Sequence, residues 1–317
     1  MENSSDKSNQ LNDLSQSLAA AVGRVGARVV AVNARPRVAS SGVVWRPGVV
    51  VAANHTVRRD EEITITLPDK RVVPATVAGR DASTDLAILK IETGEGQGVE
   101  TIESTEIVVG QLVLAVGRTN GESVSASLGV VNTVRDAWRT WRGGVIDKFV
   151  RLDMSIQLGF SGSPLVTADG SILGINTSGL ARGSAICVPA STVNRVVDEL
   201  LARGSVARAY IGVGMQQPVY LPEKLRSKLN LSQQSGVIVL SVELNAPADK
   251  AGMLLGDVLI ALDDKPVGDT EDVQRLLTPE RVGQEMKATV VRGGERVELT
   301  ITVGDKPQRG GRRGRRD

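Results

Sequence analysis

The sequence holds one histidine and one cysteine, so any chemistry that needs an imidazole base near neutral pH runs through His55. His55 stands in VVVAANHTV, where an apolar run gives way to a corner of small residues. Two more corners carry reactive groups. DASTDLAILKI puts Asp85 at the head of an apolar run, and IQLGFSGSPLV sets Ser161 in a Gly-Phe-Ser-Gly-Ser-Pro turn between two apolar stretches. Each corner has an ordinary reading, because Asp, Gly, Ser and Pro are turn residues and lone histidines sit on surfaces or in satisfied cores. Together they have a chemical one. A serine hydroxyl is a weak nucleophile until a neutral imidazole accepts its proton, and the imidazole needs a carboxylate to fix its tautomer and steady its charged form. An imidazole base of this kind predicts activity that rises with pH between about 6 and 7.5.

These corners need elements to hold them. Short β-branched runs recur as VVAVNA, GVVWRPGVVVAAN, EEITITL, VVPATVAG, DLAILKIE, QLVLAVG, SVSASLGVVNTV, FVRLDMSI, SPLVTADGSILGINTS and SAICVP, with Gly, Asp, Asn or Pro between them. That texture reads as a β-sandwich or barrel. Upstream, Leu11, Leu14, Leu18 and Val22 fall at helical spacing. Downstream, VPASTVNRVVDELLARG reads as a helix with Ser191 as its N-cap and Gly204 at its C-terminal side. A chain of 317 residues and 33.5 kDa exceeds the size at which one core usually stops growing, so a second domain is expected. It begins with AYIGVGM and SGVIVLSVELN as strands. TEDVQRLLT reads as a short helix capped by Thr270, and EMKATVVRGGERVELTITV as a hairpin turned at Arg292-Gly293-Gly294. This is a small α+β module.

The three groups occur in the order His, Asp, Ser, which is that of chymotrypsin-like barrels and the reverse of the α/β-hydrolase order. At these motifs the sequence resembles the HtrA (Deg) family of serine proteases. VVAANHTV is similar to that family's histidine motif, RDASTDLAILKI to its aspartate motif and DMSIQLGFSGSPLVTADGSILGINT to its serine motif. APADKAGMLLGDVLIALDDKPV resembles the family's PDZ domains. Three positions depart from the pattern: Phe160 stands where the family usually has Asn, Leu158 where it has Pro, and Ser163 where it has a second Gly.

The resemblance implies a mostly β protein, a chymotrypsin-like double β-barrel followed by a small α+β PDZ domain. Its segments would be a flexible N-terminal stretch at 1–14, a trypsin-like domain at 15–205, a PDZ domain at 206–306 and a basic disordered tail at 307–317. It implies an ATP-independent serine endopeptidase acting on unfolded or misfolded proteins, with His55, Asp85 and Ser161 as the triad. Gly159, Phe160 and Ser161 would form the oxyanion loop, with Gly159 and Ser161 supplying the N–H groups. Ile175, Asn176, Thr177 and the loop SGLARGSAI would line the cleft, and cleavage would follow small aliphatic residues. Tyr210, Ile211, Gly212 and Val213 would hold a peptide C-terminus, a loop at 135–149 would sense bound peptide, and the chain would form a homotrimer. A scaffold or chaperone whose oxyanion hole is spoiled by Phe160 is the second reading.

Composition narrows the remaining classes. The formal charge is +2, but RGGRRGRRD at the end carries +4, so the rest of the chain is −2. The basic balance is a property of the tail, which could touch nucleic acid or anionic lipid. With two Phe, two Tyr and three Trp there is no aromatic stacking platform, and neither nucleic acid nor membrane is the expected main partner. One His and one Cys make no zinc cluster, so no metal and no cofactor are expected. The lone Cys187 excludes an intrachain disulfide. The polar start MENSSDKSNQLNDLSQSL lacks the pattern of a secretory signal and no run of ~20 apolar residues occurs, which predicts a cytoplasmic protein.

Overall fold

A computed structural model of the chain describes residues 2–92, 99–101, 106–119, 123–181 and 184–306, without the side chains of residues 2–8 and of Gln217. The Arg-rich tail and Arg182 and Gly183 of the loop SGLARGSAI lie outside the described residues. The chain forms two units, Met1–Val206 and Ala207–Asp317.

In the first unit the β-branched runs become two closed barrels. One contains β1 (Val29–Asn33), β2 (Ser40–Arg46), β3 (Val49–Ala53), β4 (Ile63–Thr66), β5 (Val72–Asp81) and β6 (Leu86–Ile91), closed in the order β1-β2-β3-β6-β5-β4. The other contains β7 (Leu112–Gly117), β8 (Ser125–Arg135), β11 (Phe149–Asp153), β12 (Pro164–Val166), β13 (Ile172–Thr177) and β14 (Ala185–Pro189), with a small hairpin of β9 (Trp138–Arg139) and β10 (Val145–Ile146) beside it. The pattern of burial explains why the strands read as continuous apolar runs. Along β3, Val50 and Ala52 fill the interior of the first barrel, while Val49 and Val51 point into a second core shared with Leu114, Val116, Val166 and Ile175 of the other barrel. Both faces of the strand are buried, so period-two alternation is lost.

Two helices cover this shared core. α1 (Glu2–Gly26) buries Ala21 and Val25 and lays Leu18 and Val22 against it, whereas Leu11 and Leu14 at the other end of the stripe are exposed. The helix thus runs through residues 2–14, which the sequence assigns to a flexible segment. α2 (Ala190–Arg203) buries Val193, Val196, Val197 and Leu200. It ends as expected at Gly204, whose φ of 70° lets its N–H bond the Leu200 carbonyl. Its start differs from expectation: Pro189, in extended conformation, occupies the N-cap position and Ser191 lies inside the helix. β14 runs straight into the helix through the fixed φ of proline, which leaves no capping role for the serine.

The second unit contains β15 (Ala209–Tyr210), β16 (Val213–Tyr220), α3 (Glu223–Leu229), β17 (Ser235–Val242), α4 (Pro247–Lys250), β18 (Val258–Leu262), β19 (Lys265–Pro266), α5 (Thr270–Leu276), β20 (Glu285–Arg292), β21 (Glu295–Thr302) and β22 (Gly304–Asp305). The main sheet runs β16-β17-β18-β20-β21, so β16 is an edge strand. The hairpin turns on Gly293 and Gly294, both at positive φ, between the paired Arg292 and Glu295. The N-cap of α5 is Asp269, whose carboxylate accepts the Asp272 N–H, and not Thr270 one residue later.

Asp257 ties this unit together. It is buried and accepts Arg292 Nε at 2.8 Å, Arg292 Nη2 at 2.7 Å and the Leu254 N–H at 2.8 Å. Burial pushes its carboxyl up, but the Arg292 hydrogen bonds, the Leu254 N–H and the Arg292 charge outweigh burial and hold it below the ordinary carboxylate value. A depressed folded pKa contributes stability that is present above the unfolded value of about 3.9 and is lost as pH falls through the folded one. Asp257→Asn is therefore expected to destabilise this unit by about 2–3 kcal/mol at pH 7, Arg292 being partly exposed. It should also flatten the loss of stability below about pH 4, as read by hydrogen exchange of the β18 and β20 amides.

Candidate functional site

The Asp85 corner is built from its own sequence. Asp81, at the end of β5, is fully buried and accepts Ser83 N–H at 3.0 Å, Ser83 Oγ–H at 2.6 Å and Thr84 Oγ1–H at 2.7 Å. These bonds fold residues 81–85 into a tight turn and leave Asp85 in the left-handed region, with φ of 59°. Aspartate is among the few side chains that tolerate this. Asp85 then meets His55, which sits in the single turn Asn54–Thr56 after β3. Asp85 Oδ1 accepts the His55 backbone N–H at 2.9 Å, and Oδ2 lies 2.6 Å from His55 Nδ1. The Asn54 N–H donates to the Asp85 carbonyl at 2.9 Å. Thr177 Oγ1 donates to Oδ2 from the end of β13. The carboxylate is buried, while the imidazole is about one-third exposed at 34%. This arrangement suits a proton on Nδ1 and leaves Nε2 as the nitrogen able to accept one.

Ser161 lies in the turn between β11 and β12. Gly162, at φ of 92°, is packed so tightly that a Cβ there would come within 2.2 Å of the Ser41 carbonyl oxygen and 2.9 Å of the Ala53 nitrogen. Only glycine brings the serine loop this close to the strand that delivers His55. Gly159 is also held across the barrels, its carbonyl accepting Ser41 N–H at 2.7 Å and Ser41 Oγ–H at 2.9 Å. Ser41 Oγ in turn accepts the Arg118 N–H at 3.0 Å.

The two unusual side chains separate. Phe160 is buried against Gly117, and its N–H donates to the Gln157 carbonyl at 3.0 Å. Its N–H is thus engaged within the loop, in keeping with the expectation that Gly159 and Ser161, and not Phe160, are the candidate oxyanion donors. Leu158 points outward and is exposed.

Ile175, Asn176 and Thr177 are fully buried or nearly so, and do not line an open cleft. They work from beneath: the Asn176 carbonyl accepts the Gly162 N–H at 2.9 Å, Asn176 Nδ2 donates to Ser163 Oγ at 3.1 Å, and Thr177 holds Asp85. The chain becomes solvent-exposed just beyond β13, at Ser178 and Gly179. The Ser161 hydroxyl is hydrogen-bonded to Ser178 and not to the imidazole, with Oγ to Oγ at 3.1 Å and the Ser178 N–H at 3.4 Å. Gly179 lies over the carboxylate–imidazole pair. Both open the loop SGLARGSAI that the resemblance places along the cleft, although their contacts with Ser161 and with the His55–Asp85 pair had no sequence signal; nor had Ser41, which lies 118 positions from the glycine it holds.

The hairpin at 138–146 leans on the Asp85 turn. Arg142 donates to the Ala82 carbonyl at 3.0 Å, and a Cβ at Gly144 would lie 2.3 Å from Ser83 Oγ. Trp138 packs edge-on against Phe149 at 5.2 Å, while Trp141 is exposed with the Arg142 guanidinium stacked 4.4 Å over it. One tryptophan is tucked in and the other is not.

In the second unit Tyr210 donates its hydroxyl to Glu243, and burial, that bond and the Glu243 charge push its pKa up to about 12. Ile211 is buried, and its carbonyl accepts the Ala248 N–H at 2.8 Å. Gly212 has φ of 80° and packs on Ala246, and Val213 opens β16, whose sheet edge faces α5. An edge strand beside a helix is the arrangement that accepts an added peptide strand.

Residues 40–175 match the trypsin-like peptidase domain family and residues 209–303 the PDZ domain family. The chain is 34% identical over 288 residues to a probable periplasmic serine endoprotease DegP-like of Brucella suis, covering 88% of this chain and 55% of that protein. A protein of the same name from Ectopseudomonas mendocina is 32% identical over 279 residues, 86% of this chain and 57% of that one. The chain thus spans about half the length of the curated relatives it matches. Among solved structures, the HtrA-type protease AlgW with decapeptide superposes with a TM-score of 0.73 at 26% identity, covering 92% of this chain and 99% of that one. The serine endoprotease from Yersinia pestis gives 0.72 at 26% identity, with 90% and 97% covered. The relatives named periplasmic overturn the cytoplasmic expectation, which rested on the polar first residues and the lack of a long apolar run. The chain belongs to the HtrA-type serine proteases, a trypsin-like peptidase domain followed by one PDZ domain.

Proposed function

We propose that the chain is a serine endopeptidase that cuts unfolded polypeptides, with Ser161 as nucleophile, His55 as base and Asp85 as the group that orients it. The observation that carries this reading is the buried Asp85 carboxylate gripping His55 through both oxygens, in the turn that follows the strand against which the Ser161 loop is packed. The N–H groups of Gly159 and Ser161 receive the oxyanion, and substrate runs along the open strand end at Ser178 and Gly179. Phe160 supports an active enzyme over a dead scaffold, because its ring is stowed in the core and not across the oxyanion loop. The second unit takes peptide C-termini between β16 and α5, the loop at 135–149, which rests on the Asp85 turn, senses peptide bound in the cleft, and three copies assemble. The test is casein hydrolysis together with fluorophosphonate labelling of the full chain and of Ser161→Ala. Both signals should be present in the native chain and fall at least about 10³-fold in the variant. Silence of the native chain in both assays would leave the scaffold reading in its place.

A further inference from the structure

Ser178 is the first residue beyond β13 and the hydrogen-bond partner of Ser161, through its hydroxyl at 3.1 Å and its N–H at 3.4 Å. A hydroxyl has one proton and two lone pairs. The Ser178 N–H occupies one lone pair of Ser161 Oγ, and the Ser178 hydroxyl takes either its proton or its second lone pair. In the first case the proton that His55 must receive is turned away from it. In the second, both lone pairs are engaged, and attack on a carbonyl requires one bond to break. Either orientation therefore lowers the reactivity of the hydroxyl at rest.

We propose that Ser178 is a positioning residue that restrains the nucleophile until the cleft is filled. Its side chain is exposed while Ser161 is buried, so a polypeptide laid along the strand end meets Ser178 first. A backbone group of that polypeptide gives the Ser178 hydroxyl a new partner, and Ser161 turns to the imidazole. The inference rests on the reading of Ser161 as nucleophile.

A small fluorophosphonate does not span the strand end and so meets the restrained state. Its second-order labelling rate is to be compared for the native full chain, Ser178→Ala and Ser178→Thr, with Ser161→Ala as the blank. Ser178→Ala should be labelled about three- to tenfold faster, the scale of one hydrogen bond, and Ser178→Thr, which keeps the hydroxyl, at close to the native rate. With casein, which lifts the restraint itself, the gain in kcat should be smaller than the gain with the probe. Labelling of Ser178→Ala at or below the native rate would overturn the inference while leaving Ser161 as the nucleophile. Absence of labelling from native chain and Ser178→Ala alike would overturn the nucleophile reading and this inference with it.

Discussion

Asp85→Asn is expected to lower kcat for casein about 10⁴-fold with the fold intact. The amide has the shape of the carboxylate, so the turn and its hydrogen bond from Asn54 remain. The change lies in the donor pattern. Asp85 Oδ2 accepts from both His55 Nδ1 and Thr177 Oγ1, and Oδ1 accepts the His55 N–H. Asparagine has one acceptor oxygen for these donors. With its NH₂ facing the ring, Nδ1 must become an acceptor, the imidazole proton moves to Nε2, and the atom that should take the serine proton is already protonated. Steady-state kinetics beside a thermal melt separate this from unfolding. A loss of less than tenfold, at an unchanged melting temperature, would remove Asp85 from the reaction.

Gly179→Ala should cost about 10²-fold or more in kcat. A Cβ at this position lies 2.5 Å from Asp85 Oδ2 and 2.8 Å from His55 Nδ1, closer than any nonbonded carbon can stand. The atoms it meets are the held ends of the pair and not the tip of a free chain, so the imidazole must shift or the strand end must swing away. The surroundings are partly exposed, and the change in global stability should be small. Equal kcat for the alanine variant would mean that the strand end moves freely, and that the geometry over the His55–Asp85 pair does not matter.

The strands and the corners at His55, Asp85 and Ser161 could be read because each depends on local composition: β-branched runs broken by turn residues, and reactive groups at the breaks. What joins the corners could not. Ser41 reaches Gly159 from another barrel, and Asn176 and Thr177 work from below the site where a cleft lining was expected, while only the loop that opens at Ser178 and Gly179 is exposed there. α3 is only seven residues long and fully buries none of them, its Leu225 and Leu229 packing half-buried against Leu221, Ile260 and Val291. The caps at Pro189 and Asp269 show a smaller limit: a serine or threonine near a helix start is a cap only if the preceding residue does not already fill the position, and neighbours decide that.

The shared core between the barrels has one more consequence. His55 and Asp85 belong to the first barrel and Ser161 to the second, and the side chains between them, Val51, Leu86, Val116 and Ile175 among others, also set the distance between the reacting groups. The proposed active centre is therefore a joint. Each barrel also has an interior of its own, so catalytic competence should disappear under mild denaturant, heat or pressure while strands and helices still register as native. Activity would then gauge how well the two halves stay seated, and its loss is expected before either half melts.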